Sequence, residues 1–278
     1  MVEKGKIRVS IVIPVYTPNE KIFEKVKAMI KKQTVKSEII EMWNNPEAVS
    51  LNKGIKKAKG EIVVTLAQDC VPHGNRWLEK LIKPLEDEKV SVSVSDLNLP
   101  KEFWKNEYSF LTRMLSISEL GVRRPMMDAR ACAYRKKDLI ELGLFNEDPK
   151  TVAIDADLYM KLIKKGKVVH PGSIVDHLHH LSDERKIKMI YNYAEANGKL
   201  VKLYGTRISF FWSRFIRAIP FLGLFPLFIF PAKNHADLFP GYVLISLFPH
   251  LIYIYGFWKG FLFDRESMRN KEVLNGKK

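Results

Sequence analysis

The sequence predicts an α/β domain followed by an apolar α-helical tail, and three observations carry that prediction. Up to about residue 205, short β-branched runs alternate with amphipathic stretches at helical spacing. From Ile208 onward the chain is dominated by phenylalanine, leucine and isoleucine, interrupted by proline. The 278 residues suffice for one full core plus an appendage, so the expected division is 1–205 and 206–278.

Val9–Tyr16 reads as the first strand, a β-branched run closed by the Pro14–Tyr16 turn. Thr17-Pro18-Asn19-Glu20 has the spacing of a capping box, with proline at the first helical position. Ile22, Phe23, Val26, Met29 and Ile30 then recur at helical spacing. Glu38–Trp43 is a second strand, Ser50–Lys59 a helix closed by Gly60, and Glu61–Ala67 a third strand. Trp77, Leu78, Leu81, Ile82 and Leu85 form the next helical stripe, and Val90–Ser95 another strand. Ala156, Tyr159, Met160 and Ile163 mark a helix ending at Gly166, and Ser173–Val175 is strand-like. In the tail, Leu238–Phe263 holds no acidic residue and only His250 and Lys259 as basic ones. That length could cross a hydrocarbon core of about 30 Å. Ile208–Pro231 carries Arg214 and Arg217, which suits an interfacial or re-entrant segment. A buried core hairpin is the competing reading of both.

The net charge of +15 suits a protein that meets phosphates or an anionic membrane surface. A nucleic-acid role is disfavoured: no recognition module is present, and the aromatic residues concentrate in the tail. Cys70 and Cys132 form no CxxC, so a reducing compartment is the simpler reading. The N-terminal MVEKGKIRVSIVIPVY is basic and then apolar, but its short run without a small-residue cleavage site is not expected to be a signal peptide.

The stretch VTLAQDCVP, residues 64–72, places Asp69 at the exit of an apolar strand. A carboxylate there needs a helix N-terminus, a basic side chain or a metal ion. In an open α/β sheet, ligands sit beyond the carboxyl ends of the strands, where Asp69 and the Pro14–Tyr16 turn both lie. A metal-bound diphosphate is one explanation, since a hard cation bridges carboxylate and phosphate oxygens. A cap on the turn before Pro72 is the other.

Three blocks, IVIPVY, NKGIKKAKGEIVVTLAQD and GLFNEDPKTVAIDADLYMKLIKKG, occur in an order that resembles the inverting family 2 glycosyltransferases. The resemblance spans residues 8–205 and implies a GT-A domain, a Rossmann-like nucleotide-diphospho-sugar transferase fold. The Gln-Asp pair, followed by a small residue and Val-Pro, is most similar to the rhamnosyltransferase-like branch. The resemblance implies a nucleotide-diphosphate-sugar donor bound by Pro14, Val15, Tyr16, Asn44, Asn52, Gln68 and Asp69. It also implies a divalent metal, Mg or Mn, on Asp69. The family's DxD motif falls on Ala67-Gln68-Asp69, so the first aspartate is absent. Its E-D-x-D block falls on Ile154-Asp155-Ala156-Asp157, without the glutamate. That alignment puts Asp155 at the position of the catalytic base, with Asp157 next in line. Helix capping or a dipole contact competes for both.

Within His177-Leu178-His179-His180, the family's histidine near the metal maps onto His177 or His179, which would share one face of a strand. Imidazole ligation would point to manganese, and a hydrogen-bonded histidine cluster is the alternative. The family's Asp-rich turn and long connection after the second strand are missing here. Asn44 therefore stands in as a base or ribose contact and Trp43 as a stacking surface, with turn formation and core packing as alternatives. Arg124, Asp128 and Arg130 fall in the family's acceptor region, where arginine forks suit an anionic acceptor. Surface salt bridges explain them equally well. Tyr191, Tyr193, Asn197, Lys199 and Tyr204 resemble the interfacial helix of membrane-bound members.

The expected function is transfer of a sugar, with inversion, from a nucleotide-diphosphate-sugar to a lipid-linked or other envelope glycan acceptor. A non-catalytic, membrane-bound nucleotide-sugar-binding or scaffold protein is the alternative, suggested by the two incomplete motifs. The charge pattern, including the basic excess in 264–278, predicts attachment at the cytoplasmic face of the cell membrane.

Overall fold

The computed structural model describes residues 9–147, 154–208, 211–225 and 239–263. In chain order the elements are β1 (Val9–Val15), α1 (Glu20–Lys31), β2 (Glu38–Trp43), α2 (Glu47–Lys57), β3 (Ile62–Leu66), β4 (Cys70–Pro72), α3 (Trp77–Ile82), β5 (Val90–Val94) and β6 (Asp96–Leu99). There follow α4 (Lys101–Glu107), α5 (Phe110–Leu115), β7 (Gly121–Arg123), β8 (Ala131–Arg135), α6 (Lys136–Glu141), α7 (Ile154–Lys165), β9 (Lys167–Val169) and β10 (Ile174–His177). The last helices are α8 (Asp183–Tyr204), α9 (Phe211–Arg217) and α10 (Phe239–Phe263). The chain forms two compact units, one of Met1–Lys101 with Gly121–His179 and the other of Glu102–Leu120 with His180–Lys278. The sequence places the division near residue 205. In the structure α8 and an inserted segment, 102–120, belong to the second unit.

The first unit is built on two sheets. The larger has strand order β2-β1-β3-β8-β5-β9, and the smaller β4-β10-β6-β7. β1 runs parallel to β2 and β3, whereas β8 runs antiparallel to β3 and β5. The β-branched runs of the sequence are these strands: every residue of VSIVIPV except Pro14 is buried. Leu51 and Ile55 of α2 and Leu158 and Leu162 of α7 join Val63, Val92, Val94 and Tyr134 in one core cluster. Each such aliphatic side chain contributes about 1.5–3 kcal/mol by leaving water. The cluster thereby fixes the N-terminal turns of α2 and α7 to the same sheet.

Two expected helix starts are corrected. Asn19, not Thr17, caps α1: its side chain accepts the Ile22 N–H at 3.2 Å. Thr17 has a φ of 39°, a left-handed conformation that takes it out of the capping geometry. The second helix starts at Glu47 rather than Ser50, because Pro46 leads directly into its first turn.

In the second unit, a buried Lys186 of α8 pairs with Glu119 at 2.5 Å, and Asp183 accepts the Thr112 hydroxyl at 2.6 Å. These contacts tie the inserted segment to α8. Helices α8 and α10 approach closely through glycines. A Cβ on Gly256 would lie 2.9 Å from the Tyr191 carbonyl, and one on Gly198 or Gly260 would collide with the carbonyl of Phe257 or Glu195. The expected crossing by Leu238–Phe263 is not met: among the described residues no helix is long and apolar enough to cross a membrane. Pro249, His250, Tyr253, Tyr255 and Lys259 interrupt the apolar run of α10. Residues 226–238 and 264–278, on which the topology argument drew, lie outside the described residues.

Gly260→Leu should force α8 and α10 apart and destabilise the second unit by about 1–3 kcal/mol or more. Earlier proteolytic cleavage within residues 180–263, with the first unit still protected, is the expected readout. An unchanged digestion pattern would contradict the close approach.

Candidate active site

The site forms where the chain passes from one sheet to the other. Asp69 sits in the link between β3 and β4. β4 pairs antiparallel with β10 so that Cys70 lies opposite His177, and the Leu178 N–H donates to the Asp69 carbonyl at 2.9 Å. This register delivers two imidazoles to one carboxylate. His179 Nδ1 lies 2.5 Å and His177 Nε2 3.6 Å from Asp69 Oδ2. The two rings stack with centroids 5.5 Å apart. His177 ends its strand and His179 lies beyond it, so the expected common strand face is replaced by ring stacking.

Burial alone would raise the Asp69 pKa, but His177 and His179 outweigh it and hold the carboxyl well below its usual range. Asp69, His177 and His179 each offer one ligand atom, and the three atoms lie within 4.8 Å of one another. A carboxylate oxygen with two imidazole nitrogens fits a divalent transition ion, manganese better than magnesium.

β8 brings the next layer. The Ala67 N–H donates to the Arg130 carbonyl at 2.8 Å, which pins the residue before β8 against the exit of β3. Asp128 accepts from Arg130 Nε at 2.7 Å and also meets Nη2. Arg130 Nη1 lies 3.1 Å and 3.3 Å from the two ring nitrogens of His177. Burial pushes the Asp128 carboxyl up, and the charge of Arg130 more than reverses the shift. Burial and then Arg130 lower the His177 pKa, favouring the neutral ring that a metal needs.

Asp155 opens α7, with Oδ1 accepting the Ala156 N–H at 2.8 Å. Burial, and then the Asp128 charge, raise its pKa to about 6. A carboxyl poised there can take a proton at neutral pH. Asp157 instead pairs with Lys161 one turn on, at 2.9 Å. Sequence reasoning missed Glu47 at the start of α2. It is open to solvent, yet the protein around it and then the charges of Asp155 and Asp128 raise its pKa to about 7. Only its place on the first turn of a helix just beyond a strand could have signalled it.

The residues expected at the donor separate into two groups. Gln68 accepts the Tyr16 N–H at 2.8 Å and donates to the Tyr16 carbonyl at 2.9 Å, fastening the exits of β1 and β3 together. Tyr16 is 66% and Trp43 43% exposed, and Asn44 adopts a φ of 56° directly after β2. These three edge the first half of the sheet. Val15 is buried, its carbonyl accepting from the Asn44 N–H at 3.0 Å, and Pro14 is aligned with Met42 in the sheet. Asn52 is also buried: its amide donates to the Phe145 carbonyl and to Glu147 at 2.8 Å each and accepts the Phe145 N–H at 3.0 Å. It anchors the segment at Phe145–Glu147 instead of presenting a free amide. Of the acceptor candidates, Arg124 is an exposed side chain on Asp96 at 3.3 Å, while Asp128 and Arg130 belong to the histidine layer.

Residues 24–143 match the protein-family model "Glycosyl transferase family 2". No curated protein matches the chain. Among solved structures, a mannosyltransferase from Pyrobaculum calidifontis, in complex with GDP-Man and Mn2+, is similar with a TM-score of 0.61 and 16% identity, over 94% of this chain and 89% of that one. GalNAc-T7, with UDP, GalNAc and Mn2+, is similar with a TM-score of 0.50 and 16% identity, over 89% of this chain and 58% of that one. The α/β unit is thus a GT-A-like domain, and the family match over residues 24–143 supports a glycosyltransferase. The Asp69–His177–His179 cluster has the donor set and spacing of a divalent-metal site.

Asp155→Asn removes a charge that the fold disfavours. A carboxyl raised from 3.8 to about 6 adds stability below its unfolded value and loses it as pH rises through about 6. The variant should therefore be more stable than wild type above about pH 7, by about 1–3 kcal/mol, and equal to it below about pH 4. Thermal unfolding at the two pH values is the measurement. A gain of the same size at both would disconnect Asp155 from the electrostatics described.

Proposed function

We propose that the protein transfers a sugar from a nucleotide-diphosphate-sugar to a lipid-linked or other envelope glycan acceptor, with inversion, at the cytoplasmic face of the cell membrane. The observation that carries the reaction is the pairing of one low-pKa carboxylate between two imidazoles, Asp69, with one raised carboxylate at a helix start, Asp155. Asp69, His177 and His179 would hold the divalent metal, whose chemistry is to stabilise the departing diphosphate. Tyr16, Trp43 and Asn44 would receive the nucleoside at the exits of β1 and β2. Asp155 takes the proton of the acceptor hydroxyl as its oxygen bonds to the anomeric carbon. The bond from that carbon to the diphosphate oxygen breaks, releasing the nucleoside diphosphate. One displacement with one base supports inversion. The Gln68-Asp69-Cys70-Val71-Pro72 segment supports the rhamnosyltransferase-like branch, and the exposed Arg124 an anionic acceptor.

Asp155→Asn should keep donor binding and lose about 10²–10⁴-fold in transfer, whose rate in wild type should rise with pH through about 6. Asp69→Ala should instead lose the manganese dependence of donor binding. Undiminished transfer by the first variant, or metal-dependent binding by the second, would reassign the roles.

Membrane attachment draws its support from the second unit. Trp212, Phe221 and Phe225 are exposed, as are Leu247, Leu251 and Tyr255, spaced four residues apart along α10. Aromatic and aliphatic groups beside Arg214, Arg217 and Lys259 suit an anionic lipid surface. The full chain should co-sediment with anionic phospholipid vesicles, and Leu247→Glu with Leu251→Glu should weaken this at least several-fold. Equal sedimentation of wild type and variant would remove the support.

A further inference from the structure

Arg130 lies in the family's acceptor region, but its geometry describes a different task. Asp128 engages both Nε and Nη2 and also accepts the Arg130 backbone N–H at 3.1 Å, so one carboxylate fixes the guanidinium plane. The fork that would seize an external phosphate is already occupied by protein. Nη1 is the nitrogen that reaches His177, at 3.1 Å from Nδ1 and 3.3 Å from Nε2. The two nitrogens of an imidazole point away from each other. An atom nearly equidistant from both therefore lies over the face of the ring, not in its plane along either lone pair. Arg130 thus presses on the ring and leaves the in-plane nitrogens unobstructed, with Nε2 3.6 Å from Asp69 Oδ2. The ring of His179 stacks on His177 with an interplanar angle of 21°.

We propose that the Asp128–Arg130 pair positions the metal centre, holding the His177 ring at the angle that aims its nitrogen at the ion bound by Asp69. The pair acts through His177 and touches neither donor nor acceptor. Partners that orient a ligating histidine typically change metal affinity by about 10–100-fold when removed. Bare electrostatics predicts the opposite sign, because deleting a cation beside a cation site should tighten binding. The two accounts are therefore separable by direction alone.

The inference rests on reading Asp69, His177 and His179 as a metal centre, and manganese binding by the full-length wild-type chain, read by electron paramagnetic resonance without donor, tests that reading first. Given binding, Arg130→Ala should weaken manganese affinity at least about tenfold, and Arg130→Lys should recover only part of it, since an ammonium cannot hold the fork and cover the ring. Asp128→Asn should give a smaller loss in the same direction. His177→Ala should make Arg130→Ala silent, because a residue acting through His177 has nothing left to position. Metal-free unfolding temperatures separate a lost fold from a lost site. Equal or tighter binding by a folded Arg130→Ala, or full additivity of its loss with His177→Ala, would overturn the proposal while leaving the metal centre standing. No manganese binding by wild type would overturn both.

Discussion

The first unit depends on one half-buried charge. A carboxylate placed between two sheets is disfavoured by several kcal/mol unless partners compensate it. Asp69 stands there because the chain leaves one sheet and enters the other within three residues, Ala67–Asp69. Its compensation is not local. It arrives on β10, more than a hundred residues later in the chain, through a pairing that sets His177 opposite Cys70. A register slip of one residue on β10 would turn His177 to the other face and strand the charge. The register of the smaller sheet and the chemistry of the site are therefore the same constraint.

Around that charge the acidic groups divide by environment. Asp69 sits among imidazoles and is held low, and Asp128 is held low by Arg130. Asp155 is half-buried with a like charge nearby, and desolvation and then that charge raise its pKa to about 6. Glu47 feels both Asp155 and Asp128 and rises further, to about 7. Carboxylates pushed apart in this way can carry different tasks at one pH, one binding a cation and one accepting a proton. The core beneath makes this possible: Leu51, Ile55, Leu158 and Leu162 clamp α2 and α7, whose first turns carry Glu47 and Asp155.

What the sequence revealed follows from how local each signal is. The strands β1 and β3 are legible because burial on both faces demands largely β-branched runs, and β5 because its valines alternate with small serines that fit the same buried sheet. Asp69 is legible because it violates such a run. His177 and His179 are legible as candidates, but their stacking and their approach to Asp69 depend on a long-range antiparallel register that no local pattern encodes. Glu47 resembles any acidic residue in a first helical turn, and its raised pKa exists only once α7 is docked. Arg130 and Asp128 look like an exposed pair two residues apart, and only β8 reveals which ring they face. The position of 102–120 in the second unit rests on Lys186 and Asp183, polar residues that a hydrophobicity pattern ignores. The apolar tail misled in one respect. Gly256 and Gly260 of α10, with Gly198 of α8, bring one side of α10 into close contact with α8, so hydrophobicity along its length reflects helix packing as well as exposure.

The incomplete DxD is the last point the structure reinterprets. An aspartate in place of Ala67 would add a further carboxylate to a site that already gathers Asp69, Asp128, Asp155 and Glu47. Ala67 instead lends its backbone N–H to the Arg130 carbonyl, and Gln68 turns its amide onto both backbone groups of Tyr16. The strand exits are thus closed by neutral hydrogen bonds, which do not deepen the negative potential that keeps Asp155 protonated below pH 6. His177 and His179 set two ring nitrogens beside Asp69, where a second aspartate would have set a carboxylate. A cation held by Asp69, His177 and His179 would meet one carboxylate and two ring nitrogens, a set that suits manganese better than magnesium. Ala67 and Gln68 thus leave Asp69 as the carboxylate of the link between β3 and β4, with its charge met by the two histidine rings.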